Sequence, residues 1–370
     1  RAKALSVPHS TAQGNGIIRR VKAIRTQAPA RRSLRSVWRL WRDKTRHWQA
    51  LENLPCIPLD KENFEVLEGP EAFRHTLLAL IAEARQRILL SALYLQDDDG
   101  GREVLEALHA AKVAHPDLDV AVFVDWHRAQ RGLIGKARSE GNAAMYRAMS
   151  ERLGPGVHIY GVPVQRREFM GVLHLKGFVI DNVVLYSGAS LNDVYLHRHT
   201  RYRLDRYHLI RSRALADSLA GVLNHGLRPN PAVHALHVPG APKTAEIRPQ
   251  IVTFRRELAR VRYRFNGDRI RRGEIGVTPL FGLGARDNEL NHTIVELIRQ
   301  AKTRLVLFTP YFNPPGPVRR ALDARLRDGC QITVVIGDKV ANDFYIPPDE
   351  PFKTIGTLPY LYEANLRRFC

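Results

Sequence analysis

Residues 82–95 read AEARQRILLSALYL and residues 299–312 read RQAKTRLVLFTPYF. Laid over each other without a gap, Ala84 meets Ala301, Arg87 meets Arg304 and Tyr94 meets Tyr311. Upstream of the first stretch, Phe73, Leu77, Leu78 and Ile81 recur at helical spacing, so the stretch reads as a helix end running into a buried strand. Working outward, the first pass predicts helix over 71–84, strand over 87–95, helix over 101–115 and strand over 118–125, LDVAVFVD. The second predicts helix over 291–301, strand over 304–311, helix over 317–328 and strand over 331–338, QITVVIGD. Asp125 then falls opposite Asp338. Helices alternating with strands make an α/β chain. A repeat of about 215 residues is too long for a solenoid and reads as a duplication.

The 370 residues are 44% hydrophobic, enough for packed cores. The formal net charge of +20 calls for a polyanionic partner: anionic lipid, nucleic acid or a phosphate-bearing substrate. Cys56, Cys330 and Cys370 lie far apart without paired spacing, which argues against a disulfide framework or zinc site and makes a reducing cytosol the expectation. No apolar run reaches the ~18 residues of a spanning helix. Residues 1–55 form a distinct arm, with 13 Lys or Arg among the first fifty positions against one acid, Asp43. Its first 29 residues read as disorder. Leu34, Trp38, Trp41 and Trp48, interleaved with arginines, suit either an interfacial helix or packing on the following domain. Between the two copies come a helix near 214–223, a Pro/His-rich loop and a basic helix expected to close near Gly267. That helix reads as a solvated face on a core helix, or as a contact for anionic headgroups.

The chemistry concentrates in residues 172–192, VLHLKGFVIDNVVLYSGASLN. A strand over 172–180, a turn at Asp181-Asn182 and a return over 183–186 form a hairpin. Alternation along the strand puts His174 and Lys176 on one side. Gly188, Ser190 and Asn192 follow in a small-residue turn, where glycine admits a backbone or phosphate. An imidazole beside an ammonium, with a hydroxyl and an amide nearby, suits attack on phosphorus through a covalent intermediate. The lysine would neutralise charge building on the phosphoryl oxygens, so neither metal nor cofactor is expected.

His174-x-Lys176-x4-Asp181 followed by Gly188-x-Ser190-x-Asn192 resembles the HKD motif of the phospholipase D superfamily. The runs at 92–101, 124–132, 184–197, 205–211 and 341–369 are similar to the peripheral phosphatidylserine synthases of Gram-negative bacteria. The resemblance implies a duplicated phospholipase D-like fold with one motif per half. Their histidines would meet, one attacking phosphorus and the other serving as general acid and base. It also implies phosphatidyl transfer from CDP-diacylglycerol to L-serine with release of CMP. His174, Lys176, Asp181 and Asn192 become catalytic candidates, either histidine role being open for His174 and the motif aspartate mostly supporting the histidine or the fold. Ser190, Gly188, Asp125, His127, Arg128, Arg131, Tyr94 and Tyr311 become substrate-binding candidates. Cytoplasmic association with an anionic inner-membrane surface, or with ribosomes through charge, follows as an expectation. Other superfamily reactions remain as alternatives: cardiolipin synthesis, phospholipid hydrolysis or nucleic-acid cleavage. So does a basic protein that binds without catalysis.

The expected divisions are an arm over 1–55, a first half with its motif over 56–268, and a second half over 269–370. The spacing from Asp125 to His174, added to Asp338, puts a second histidine near position 387, and the 370 residues hold one H-x-K-x4-D. The expectation is a chain cut before that motif and inactive alone.

Overall fold

The computed structural model describes residues 18–23, 51–131, 141–166, 171–283, 288–342, 344–351 and 354–370. The tryptophan-rich segment of the arm lies outside them. β1 (Ile18–Ala23) pairs antiparallel with a strand of the second half, described below.

The first half is built on an eight-stranded sheet. It contains β3 (Phe64–Leu67), β4 (Arg87–Ser91), β5 (Asp119–Asp125), β6 (Val157–Val162), β7 (Gly177–Ile180), β8 (Val183–Tyr186), β9 (Tyr207–Arg211) and β10 (His234–Ala235). β4, β5 and β6 run parallel, with Arg87 opposite Asp119 and Val120 opposite Val157. β7 pairs antiparallel with β4, and the β7–β8–β9 meander extends the sheet. β5 reads as an unbroken apolar run, as a parallel strand buried on both faces does, and six of its seven residues are buried. Separately, β2 (Ile57–Asp60) pairs with β11 (Glu274–Val277).

Helix α1 (Gly69–Glu83) begins with Pro70, whose fixed φ suits a first turn. It buries Phe73, Leu77 and Ile81 completely, the i, i+4, i+8 stripe read from the sequence. Phe73 stacks on Tyr207 at 4.7 Å and lies 6.0 Å from Phe178, so the meander covers that stripe. Helix α2 (Asp99–Ala114) is capped by Asp98, which accepts from the Gly101 amide, and buries Val104, Leu105 and Leu108.

The second half repeats the unit. Helix α7 (Glu289–Gln300) leads into β12 (Arg304–Thr309). Helix α8 (Gly316–Arg327) then leads into β13 (Gln331–Gly337), which lies parallel to β12. The two copies share their corners. Ala84 and Ala301 both end a helix by donating their amide to an isoleucine three residues back, Ile81 and Ile298. Asp125 and Asp338 both leave a parallel strand and cap the helical turn that follows. The copies differ in cover. Leu290 and Ile294, the counterparts of Phe73 and Leu77, are exposed, and β12 ends its sheet where β4 receives β7.

Helix boundaries otherwise fall within two residues of those read from the sequence, with one exception. The basic helix, α6 (Arg248–Leu258), stops well before Gly267. Beyond it Val261, Tyr263 and Phe265 turn inward while Arg262 and Arg264 stay exposed. V-R-Y-R-F is a period-two pattern, and that alternation wins over the helical one.

Candidate functional site

His174 and Lys176 precede the first ladder bonds of β7, at the end of the sheet where β5 finishes. One carboxylate ties these places together. Asp125 is fully buried; its Oδ1 accepts from the amides of His127 (3.0 Å) and Arg128 (2.9 Å), and its Oδ2 accepts from the Leu173 amide at 2.7 Å. Asp125 was expected to bind substrate. Instead it anchors the residue before His174 to the end of β5, because an acceptor buried among backbone amides is consumed by them.

His174 reaches solvent, yet protein atoms crowd its other sides, the situation of a side chain in a cleft. Desolvation there, and then the neighbouring Lys176 charge, push its pKa from 6.5 down to about 4. The imidazole is therefore neutral at pH 7. Lys176 is buried at 8% exposure and donates to Ser190 Oγ at 3.2 Å. Burial lowers its pKa from 10.5 to about 7, against the pull of Asp205. An incoming phosphate would favour the charged ammonium and move that value up.

Asn192 donates to the Tyr94 hydroxyl at 3.5 Å and accepts from the Tyr195 amide at 3.0 Å. The Arg128 guanidinium lies 4.8 Å above the Tyr94 ring, within cation–π range. The segment through Leu191 pairs with the extension of β4, by Leu191 N to Tyr94 O and Gln96 N to Leu191 O. Structure thus gathers His174, Lys176, Ser190, Asn192, Tyr94 and Arg128 around one end of the sheet.

Other expected site residues have different places. Asp181 sits at the far end of β7 with φ 48° and accepts from the amides of Arg85, Gln86 and Arg87. Seven residues of extended chain, roughly 20 Å, separate it from His174. It joins the hairpin tip to the α1–β4 corner, which supports the fold. Gly188 makes room for protein, not phosphate: a Cβ there would stand 2.6 Å from Asp205 Oδ2. His127 gives its Nε2 to a 2.8 Å bond with the Gln165 carbonyl. Arg131 lies against Gly141, which has no space for a side chain over the Arg131 backbone. Tyr311 stacks on Tyr362 at 5.4 Å inside the second half. Sequence reasoning missed Asp205, whose carboxyl burial raises its pKa and whose charge reaches Lys176. The close fit to Gly188 was the one available signal, and it needs the fold to be seen.

The histidines predict acid sensitivity. Desolvation lowers the folded pKa of His109, His158, His174, His208, His234 and His237 below 6.5. Below about pH 7 the unfolded chain then binds more protons than the folded one, so stability present above the unfolded pKa is lost as pH falls. Asp98, raised to about 6, and Asp205 act in the opposite sense and are outnumbered. The urea midpoint is expected to drop steadily from pH 7 to pH 5; a flat or rising midpoint would contradict this.

No family model matches the chain. It is 50% identical over 327 residues to the CDP-diacylglycerol–serine O-phosphatidyltransferase of Escherichia coli K12, covering 88% of this chain and 72% of that protein. It is 45% identical over 331 residues to the Haemophilus influenzae protein of the same name, covering 87% and 72%. The crystal structure of phosphatidylserine synthase from Haemophilus influenzae superposes with a TM-score of 0.81 at 43% identity, over 89% of this chain and 73% of that one.

Proposed function

This chain belongs to the CDP-diacylglycerol–serine O-phosphatidyltransferases, and from that premise we propose that His174 is the nucleophile that takes up the phosphatidyl group. The reaction is transfer of phosphatidyl from CDP-diacylglycerol to L-serine, giving phosphatidylserine and CMP, on a phospholipase D-like duplicated fold. A neutral imidazole nitrogen attacks the lipid-bearing phosphorus, an N–P bond forms, and the P–O bond to CMP breaks as the CMP oxygen takes a proton from a general acid. The serine hydroxyl then attacks phosphorus, its proton passing to the donor left deprotonated by the first step, and the N–P bond breaks to free His174.

The observation that carries this reading is the depressed pKa of His174 beside buried Lys176. With a pKa of about 4 the ring is ready to attack at neutral pH and poorly populated as an acid, which favours the nucleophilic role. Lys176 and Ser190 neutralise and orient the phosphoryl oxygens. Asn192 holds Tyr94, and Tyr94 holds Arg128 where its forked donors meet the pyrophosphate. The proton donor would be a second motif histidine, and the 370 residues contain one H-x-K-x4-D.

The twin caps at Ala84/Ala301 and Asp125/Asp338 support a division into two halves after the arm, with β11 and Phe281 packed on the first half. Among the described residues no helix is long and apolar enough to cross a membrane. We place the protein at the cytoplasmic face of an anionic inner membrane, on the strength of its +20 charge and lipid substrate.

Quenching the protein with CDP-diacylglycerol radiolabelled at its lipid-bearing phosphorus tests the assignment. The expected result is a protein-bound label that survives base, is released by acid and maps to His174. Label at another residue, with none on His174, removes the proposal.

A further inference from the structure

We propose that the arginine ridge running from Arg255 to Arg272 is the surface on which the protein rests against an anionic bilayer, holding the His174 site at headgroup level. This rests on the phosphatidyl-transfer reading, whose substrate is a membrane lipid. The 18-residue segment carries eight arginines against Glu257 and Asp268. All eight arginines are exposed. Arg262 pairs with Glu289 at 3.7 Å, whereas Arg255, Arg256, Arg260, Arg264, Arg269, Arg271 and Arg272 make no ion pair among the described residues. Cations held outward without carboxylate partners produce an unneutralised field, which anionic headgroups complement.

The ridge is built onto the fold. Val261, Tyr263 and Phe265 pack inward against the core while the intervening arginines face out. Gly267 closes on Pro55, and Ile270 leans on Gly276. The ridge also adjoins the site, since Tyr263 lines a narrow crevice together with Lys176 and Gly177. Ile270, half-exposed between Arg269 and Arg271, gives the basic surface an apolar point. Basic groups flanking an exposed aliphatic side chain suit the headgroup–acyl boundary better than a phosphate backbone alone.

The test is flotation of the full protein with vesicles of phosphatidylcholine containing one-third phosphatidylglycerol. The triple variant Arg264→Ala, Arg269→Ala, Arg271→Ala is expected to bind roughly a hundredfold more weakly. It should turn over CDP-diacylglycerol in neutral detergent micelles at the wild-type rate. Ile270→Asp should weaken the binding that persists at high salt. A charge-matched control, Arg319→Ala, Arg320→Ala, Arg327→Ala on α8, should bind like wild type. Equal binding by the ridge triple, or equal loss in the control, overturns the ridge while leaving the phosphatidyl-transfer reading intact. Loss of RNA binding with vesicle binding preserved assigns the ridge to nucleic acid and also overturns it. Failure of wild type to float on anionic vesicles overturns the proposal together with the membrane placement.

Discussion

In the full-length protein, with both motifs present, His174→Asn should lower the rate of phosphatidylserine formation by at least about a thousandfold. The amide matches the ring in polarity and cannot carry a transferable phosphatidyl group. The side chain reaches solvent, so its replacement leaves the core untouched and the thermal midpoint near that of wild type. Vesicle binding should also persist, which separates catalysis from membrane association. The pH profile of wild type sharpens the assignment. With the ring neutral above about pH 4, the nucleophile is available throughout the physiological range. A proton donor with the same pKa would make activity climb as pH falls towards 4. CMP release by the variant above a tenth of the wild-type rate would remove His174 from the chemistry, and a climbing acid limb would reverse its role.

Asp125→Ala should cost about 3–5 kcal/mol of folding stability, among the largest effects expected of one substitution in this chain. Three backbone amides lose their acceptor at once in a place that water does not reach. Asp125→Asn is the more informative variant. It keeps one oxygen but turns an amino group towards either Leu173 or the His127–Arg128 turn. The expected result is a smaller stability loss with a fall in kcat at nearly unchanged KM, because Leu173 sets the position of His174 rather than the affinity for lipid. Urea denaturation and steady-state kinetics measure both. Wild-type stability in the alanine variant would mean that those amides have other partners.

The sequence made much of this legible for physical reasons. Apolar spacing marks α1 and the strands, because burial enforces periodicity. The hairpin at Asp181-Asn182 and the pairing of Lys176 with Ser190 follow from local spacing. The backbone contacts of Asp125, Asp181 and Gly188 were not legible in the sequence, for a common cause. Small polar residues and glycines look alike whether they serve a ligand or the backbone. Only tertiary contacts reveal that Asp181 serves Arg85–Arg87 and that Gly188 yields to Asp205. The overrun of α6 past Leu258 arose because arginine is a strong helix former, whereas burial of Val261, Tyr263 and Phe265 draws the segment into extended chain.

The twin corners carry a wider consequence. Ala84 and Ala301, like Asp125 and Asp338, keep the same task although the faces around them have drifted into different environments. A covering face tolerates any side chain of fitting bulk, whereas a chain reversal must satisfy particular amides by particular atoms. Ancestral copying should therefore fade slowest at the bends of a protein, and searches for worn-down repeats gain by weighting those positions above the oily interior.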